Sequence, residues 1–388
     1  MTNDRPSLIV FADDWGRHAS SCQHLVRRLL PRYPVVWVNT IGMRTPRLDR
    51  ASLVRGIEKL RRWFVSRAST EGLPPNLRVV EPKMWPWFRR RHDRWLNRWL
   101  LVRCLRRELE GRPAVAVTTI PVVSDLIGRI PVSRWVYYCV DDFSIWPGLD
   151  QATIGKMERE LAPRCARVIA VSQTLYAKLA AHGKPVDLLT HGVDVEFWRT
   201  AESGSPSSRL SGLERPLALF WGCIDQRMDV EFVRRLTSDL ARGTVVFAGP
   251  VLNADPSLLS LPKVVHIPAV PLEELPHLAA GSDVLVMPYG DIPVNRAIQP
   301  LKLKEYLACG KPVVVRDLPA NRQWADCADL VSSAEEFSRM VRQRASEGVP
   351  AEQRTARGRL SEEGWEAKAR LFEKLALGPD AARNAHGT

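Results

Sequence analysis

Residues 283–315 read DVLVMPYGDIPVNRAIQPLKLKEYLACGKPVVV. The short apolar run 283–287 stops at Pro288 and predicts a strand. Gln299 and Pro300 predict the opening of a helix, because Pro suits a first helical position. Gly310 predicts its end, and 312–315 begin a β-branched strand. The order is strand, long loop over 289–299, short helix, tight turn, strand. Leu303, Tyr306, Leu307 and Gly310 share one helical face. Lys302 and Glu305 are neighbours on another, three residues apart. This pair reads two ways: an ordinary surface salt bridge, or part of a ligand site. A loop feeding a helix N-terminus, beside one cation and one carboxylate, suits a phosphate-and-sugar ligand. Backbone N–H groups and Lys302 can take diphosphate charge, and Glu305 can accept two hydrogen bonds from a ribose diol.

Pro300, Lys302, Glu305, Tyr306, Ala308, Gly310, Lys311, Pro312, Val313 and Val314 form the pattern P-x-K-x-x-E-Y-x-A-x-G-K-P-V-V. It resembles the C-terminal signature of sugar-nucleotide glycosyltransferases of the GT-B type (group 1, family 4-like). The resemblance implies an α/β fold of two Rossmann-like, doubly wound domains facing across a cleft. It implies that Glu305 holds the nucleotide ribose and that Lys302, at a helix start marked by Pro300, faces the diphosphate. Weaker matches extend it. LFWGCIDQRMD (219–229) is similar to the first strand and turn of the family's second domain, which puts Gly222 and the phosphate-contacting Arg227 in their places. Residues 265–289 resemble the family's run of strand, E-E-L-P helix and D-V-x-x-x-P-Y. HGVDVEF (191–197) resembles the segment closing the first domain, and the helix from Trp365 the one that returns to brace it. Where the family often has a second acidic residue, eight positions before the ribose Glu, this chain has Ala297. Asp291 is the substitute candidate for the donor-sugar contact, with a loop-capping role as the alternative.

Length and composition fit two globular domains: 388 residues, 45% hydrophobic and 26% charged. Seven cysteines, an odd number with no C-x-x-C pair, exclude an obvious disulfide framework or zinc knuckle and predict reduced thiols. No apolar run approaches the roughly 18 residues that span a bilayer, and the start MTNDRPSLIVFADDWG does not resemble a signal peptide. A cytoplasmic location is the expectation. The net charge of +13 is uneven. Residues 1–200 hold 33 basic and 19 acidic side chains (+14), and the remainder holds 23 and 24 (−1). That asymmetry predicts a polyanionic partner for the first half.

Both halves alternate apolar strands with amphipathic helices, which predicts parallel sheets covered on both faces. In the first, strands are expected at 7–12, 35–38, 114–118, 135–139, 167–171 and 186–189. Helices are expected at 22–30, 156–165 and 173–182. In the second, strands are expected at 217–221, 244–248, 264–267 and 329–331, with helices at 229–240, 272–280, 333–343 and 365–375. The Ser- and Gly-rich stretch 200–214 reads as a linker. The expected domains are thus 1–199, braced by 361–388, and 215–360.

Ligands of doubly wound sheets sit at the carboxyl ends of strands. In the first half that points to Asp14, Trp15, Gly16 and Arg17, beside Asp13, as an acceptor wall. Asp141 and Asp142 stand just after another strand, and the resemblance to family members with a D-D there implies an acceptor-side polar role for Asp142 or Asp141, as base on an acceptor hydroxyl. Capping of a following helix is the structural alternative for this Asp pair. His18, His24 and His191 are further base candidates. No D-x-D triad or metal-spaced cluster appears, so leaving-group charge falls to Arg227, Lys302 and the helix start, without metal or other cofactor. Residues 84–107, MWPWFRRRHDRWLNRWLLVRCLRR, mix four Trp with many Arg on one expected helix. Trp95, Arg98 and Trp99, with the cluster Arg61-Arg62-Trp63-Phe64, read either as a face for anionic lipid headgroups or as the solvated side of a core helix.

The function expected is a metal-independent glycosyltransferase of hexosyltransferase type. It would move a sugar from a nucleotide-diphosphate donor, a UDP-sugar by preference, to a glycan or lipid-linked acceptor in surface polysaccharide assembly. Peripheral contact with the inner membrane face is part of that expectation; nucleic acid is not. A sugar-nucleotide epimerase of the same fold is the enzymatic alternative. A non-enzymatic protein binding anionic membrane or nucleic acid is the other.

Overall fold

The computed structural model describes residues 5–16, 20–40, 42–43, 72–109 and 113–378. Arg17, His18 and the Arg61-Arg62-Trp63-Phe64 cluster lie outside the described residues. The chain divides into two compact units, one formed by residues 1–190 with 365–388 and the other by 191–364.

The first unit carries strands β1 (Ser7–Ala12), β2 (Val35–Asn39), β3 (Leu77–Val80), β4 (Ala114–Thr118), β5 (Arg134–Cys139), β6 (Arg167–Ala170) and β7 (Val186–Leu188). They form one sheet in the order β3-β2-β1-β4-β5-β6-β7, with every pair parallel. β1 and β4 are buried at every position, as strands covered on both faces must be. The helices are α1 (Ser21–Leu29), α2 (Arg91–Glu108), α3 (Gln151–Leu161) and α4 (Gln173–Ala180). Ser20 caps α1 by accepting from the Gln23 N–H, and Cys22, Leu25, Val26 and Leu29 bury one face of it.

The second unit opens with α5 (Val195–Ser203). Its main sheet contains β8 (Leu217–Trp221), β10 (Thr244–Ala248), β12 (Val264–Ile267), β13 (Val284–Met287), β14 (Val313–Arg316) and β15 (Asp329–Val331). They run parallel in the order β12-β10-β8-β13-β14-β15. A small pair, β9 (Ile224–Asp225) and β11 (Val251–Leu252), lies outside it. The helices that follow are α6 (Val230–Asp239), α7 (Leu275–Gly281), α8 (Pro293–Ala297), α9 (Leu301–Ala308), α10 (Ala334–Glu347) and α11 (Ala351–Ala356). The last helix, α12 (Trp365–Leu377), belongs to the first unit. There Trp365 stacks on His24 at 4.5 Å and Glu373 accepts the Tyr33 hydroxyl at 2.7 Å.

Several expectations need correction. β3 was not expected; its exposed second position and short length blur the apolar signal. Residues 84–90 are not helical, so Trp85 and Trp87 precede α2 rather than ride on it. Residues 200–214 do not form a separate linker: 200–203 finish α5, and Ser208–Leu210 makes a 3-10 turn that buries Leu210. The unit boundary falls at Thr190, nine residues before the expected one. Ser and Gly composition there marks a capped helix end and turns, not free chain. The seven cysteines are all free thiols. Among the described residues, no helix is long and apolar enough to cross a membrane.

Candidate functional site

In the second unit the strand order reverses between β8 and β13, and ligands of such sheets gather at the carboxyl ends flanking that switch. β8 ends there in Trp221 and Gly222, and β13 runs into Pro288 and Tyr289. The backbone is tightly drawn. Gly222 sits at φ +129°, and a Cβ there would overlap Lys302 Cε and lie 2.8 Å from its Nζ. Gly249, at φ +144°, has its own missing Cβ directed into the Gly222 carbonyl. Two glycines therefore let β8, β10 and α9 close on one another, and Lys302 fills the space that the first leaves.

Lys302 and Arg227 converge on Tyr289. The Lys302 ammonium donates to the Tyr289 hydroxyl at 3.3 Å. It lies 5.8 Å from the Phe220 ring centroid and 6.0 Å from that of Tyr289. The Arg227 guanidinium lies 5.4 Å from the Tyr289 centroid and donates Nε–H to Asp225 Oδ1 at 2.9 Å. The turn holding Arg227 is pinned from outside. Its carbonyl accepts from the Gly290 N–H at 2.7 Å and from Asn295 Nδ2 at 3.0 Å. Asn295 is buried on α8 and also donates to the Gly290 carbonyl at 2.8 Å. The expected long loop over 289–299 thus contains a short helix, and that helix supplies the clasp.

Glu305 lies one turn along α9 from Lys302, yet the two do not form a surface salt bridge. Lys302 turns to Tyr289, while Glu305 Oε2 accepts the Trp221 indole N–H at 3.3 Å. Burial raises the Glu305 pKa above 4.5, with Lys302 and the indole N–H opposing. A carboxylate held at such cost in a glycine-lined strand end is suited to accept a neutral diol. Trp221 is fixed by its neighbours: its backbone N–H donates to the Tyr306 hydroxyl at 3.1 Å, and its ring stacks on Trp198 at 5.3 Å. Lys304, two residues from Lys302 and so on another face, is buried and paired with Glu363 and the His191 carbonyl. His191 in turn donates its backbone N–H to Gln299 at 2.9 Å.

Pro300 is the cap residue before α9, one place ahead of the expected first helical position. Asp291 is exposed and forks onto Arg296 at 2.6 and 2.7 Å, which holds its carboxyl below the ordinary range. That is the loop-fastening arrangement. The structure therefore brings together Gly222, Arg227, Lys302 and Glu305, and ties Asp291 into a separate ion pair. Sequence reasoning missed Tyr289, Trp221 and Asn295 as parts of the site. Trp221 ends β8 and Tyr289 stands two residues past β13, and position at a strand's carboxyl end is the signal that could have found them.

In the first unit, Asp13-Asp14-Trp15-Gly16 follows β1 at that sheet's own switch point, between β1 and β4. The turn is braced. Trp15 N–H donates to Asn39 at 2.9 Å, Gly16 N–H to Gln23 at 3.1 Å, and the Trp37 indole to the Asp13 carbonyl at 3.0 Å. Arg27 lies over the Trp15 ring at 5.2 Å. Asp142, the candidate acceptor-side base, is engaged by other side chains. It is buried, with Oδ1 taking Lys178 Nζ at 2.6 Å and the Ser144 hydroxyl at 2.5 Å. Lys178 also binds the buried Glu158 at 2.5 Å, and Glu158 accepts the Tyr137 hydroxyl at 2.7 Å. This network has the chemistry of a structural ion pair. Asp141 is half-buried beside it. Among the described residues, no group of three or more His, Cys, Asp or Glu is placed to hold a metal ion.

No protein-family model matches the chain. TuaH of Bacillus subtilis, named as a candidate glycosyltransferase of teichuronic acid biosynthesis, is 34% identical over 147 residues. The match covers 37% of this chain and 37% of that relative. Solved structures align over nearly the whole chain. Sucrose-phosphate synthase of Thermosynechococcus elongatus has a TM-score of 0.67 at 16% identity, covering 96% of this chain and 98% of its own. HepE of Anabaena, in complex with UDP and glucose, scores 0.66 at 13%, covering 95% and 99%. A UDP-forming trehalose-phosphate synthase of Burkholderia xenovorans scores 0.68 at 12%, covering 99% and 100%. The fold is GT-B: two Rossmann-like α/β domains built on parallel sheets.

Proposed function

We propose that the chain is a glycosyltransferase of hexosyltransferase type that uses a UDP-sugar and serves surface polysaccharide assembly. The observation that carries this reading is the meeting of Glu305, Lys302 and Arg227 around Gly222 at the β8/β13 switch point. Glu305 takes the ribose diol. Lys302 and Arg227 take the diphosphate, together with the first-turn N–H groups of α9. In transfer, the bond from the anomeric carbon to the β-phosphate oxygen breaks and UDP leaves with the electron pair. An acceptor hydroxyl oxygen bonds to that carbon and gives up its proton to a base. Charge grows on the departing diphosphate, and two preplaced cations stabilise it more in the transition state than before it. We assign the donor to the second unit. The first unit takes the acceptor, a glycan or a lipid-linked sugar, with Asp14, Trp15 and Gly16 on its wall. Support for UDP comes from relatives that bind or form it by name, and for the polysaccharide role from TuaH.

Isothermal titration with UDP, followed by a panel of UDP-sugars with and without lipid-linked acceptors, tests this. Binding that Glu305→Ala abolishes, and UDP release that depends on acceptor, are expected. Absent UDP binding would overturn the reading, and sugar conversion without any acceptor would reassign the chain as an epimerase.

A further inference from the structure

Helix α2 carries two faces of opposite character. Asp93, Asn97, Leu101 and Leu105, four apart, are buried. At about 100° per residue, the direction opposite that stripe belongs to Trp95, Trp99, Arg103 and Arg106. Trp95 is 56% exposed and Trp99 49%, and both arginines are exposed. The Arg103 guanidinium lies 5.9 Å from the Trp99 ring centroid. Arg98 sits on the flank, half-buried beside Asn97 and Leu101, and not on this crest.

The segment before α2 adds Trp85 and Trp87, 39% and 37% exposed, with rings 4.9 Å apart. Buried polar groups hold it in place. Asn97 accepts the Trp85 N–H at 2.7 Å and donates to the Trp85 and Trp87 carbonyls at 3.0 and 3.1 Å. Asp93 accepts the Trp85 indole N–H and the Arg90 N–H, each at 2.9 Å. The interior of the helix is thus used to fix tryptophans that remain half in solvent. Tryptophan is highly buried on average, so Trp95 and Trp99, exposed together on the crest opposite that anchored segment, mark a surface that meets something.

The charge identifies the partner. Residues 84–109 contain eight arginines against Asp93 and Glu108, a net +6. The carboxylates and amide that would bind a sugar chain are not offered: Asp93 and Asn97 are buried, and Glu108 is paired with Arg78 at 2.9 Å. What remains outward is indole, guanidinium and the His92 imidazole, its side chain 69% exposed, a set suited to a plane of lipid phosphates over an apolar interior. We propose that this face of the first unit docks on an anionic phospholipid surface, with Trp95 and Trp99 at headgroup depth and Arg103 and Arg106 on phosphates. The inference is independent of the donor site, which lies in the other unit.

The test is flotation of the full chain with phosphatidylcholine vesicles, with and without phosphatidylglycerol. Co-flotation with the anionic vesicles alone, weakened by salt, is expected. Trp95→Ala with Trp99→Ala should lower it about 10-fold or more, each indole losing its interfacial seat. Arg103→Gln and Arg106→Gln should lower it about five-fold each. A UDP titration and a thermal melt on the same variants should match the parent, which shows that the fold is intact. Equal flotation with neutral vesicles, none with either, or no change in the variants would overturn the proposal. So would stronger retention by RNA or an acidic polysaccharide than by the anionic vesicles. Loss of UDP binding in parent and variants alike would strike the donor reading and leave the flotation result standing.

Discussion

Lys302 occupies the volume that a side chain at Gly222 would need: its Nζ lies 2.8 Å from where a Cβ would stand. The glycine is therefore a condition for the lysine's position, and the two form one device. Gly222→Ala meets only the far end of a flexible side chain, but at φ +129° it also strains the backbone. It should expel the ammonium from beside Tyr289. UDP affinity is expected to fall about 10-fold or more, the worth of a charge-assisted hydrogen bond, together with a lower melting temperature from the backbone strain. Titration and a melt on the same preparation check this.

The two cations should act on phosphate and not on nucleoside. Lys302→Ala and Arg227→Ala are each expected to weaken UDP by about 10- to 100-fold and to leave uridine unaffected. Paired titrations with UDP and uridine distinguish phosphate binding from general disruption. Arg227→Ala carries a second expectation, since it strands Asp225, its partner at 2.9 Å. A modest fall in melting temperature should accompany it.

Glu305 makes pH a probe. Its pKa is raised above 4.5 by burial, with Lys302 and the Trp221 N–H opposing. Between the ordinary and the raised value the folded chain holds a proton that the unfolded chain has released. Stability therefore falls as pH rises through that window, and the ionised group is a net cost at neutral pH. Glu305→Gln should melt no lower than the parent at pH 7 while losing UDP affinity. In the parent, UDP affinity should decline as pH drops through the raised pKa, because protonation removes an acceptor for the ribose diol. Titration across pH 4.5 to 7.5, with the Gln variant as control, measures both.

Lys178 should reveal the role of Asp142. Burial lowers its pKa, but Glu158 and Asp142 together raise it above 10.5 on balance. Its stabilising share is thus complete at neutral pH and lost only as pH rises through that raised value. Lys178→Met leaves Glu158 and Asp142 unpaired and should cost about 3 kcal/mol. Urea unfolding of the first unit reads this out, with UDP affinity unchanged.

Much of the architecture was legible because strands buried on both faces write themselves as unbroken apolar runs. Val284–Met287 and Ala114–Thr118 are examples. Gly310 at φ +70° closes α9 where the sequence placed a helix end. What escaped was set by tertiary contact. The clasp of Asn295 on the Arg227 carbonyl joins residues 68 apart, and nothing local announces it. The sequence offers Asp142 as a base because its partner Lys178 lies 36 residues on. Residues 84–90 carry a helical mixture of Trp and Arg but are not helical, because Asn97 claims the backbone groups of Trp85 and Trp87.

The second unit is expected to grip a nucleoside diphosphate. A crystal structure of the chain soaked with UDP examines that without intermediaries. The ribose diol is expected within hydrogen-bond distance of Glu305, and the diphosphate between Lys302 and Arg227 at the start of α9. A nucleotide bound elsewhere, or one seated there with its phosphates turned away from both cations, would contradict it.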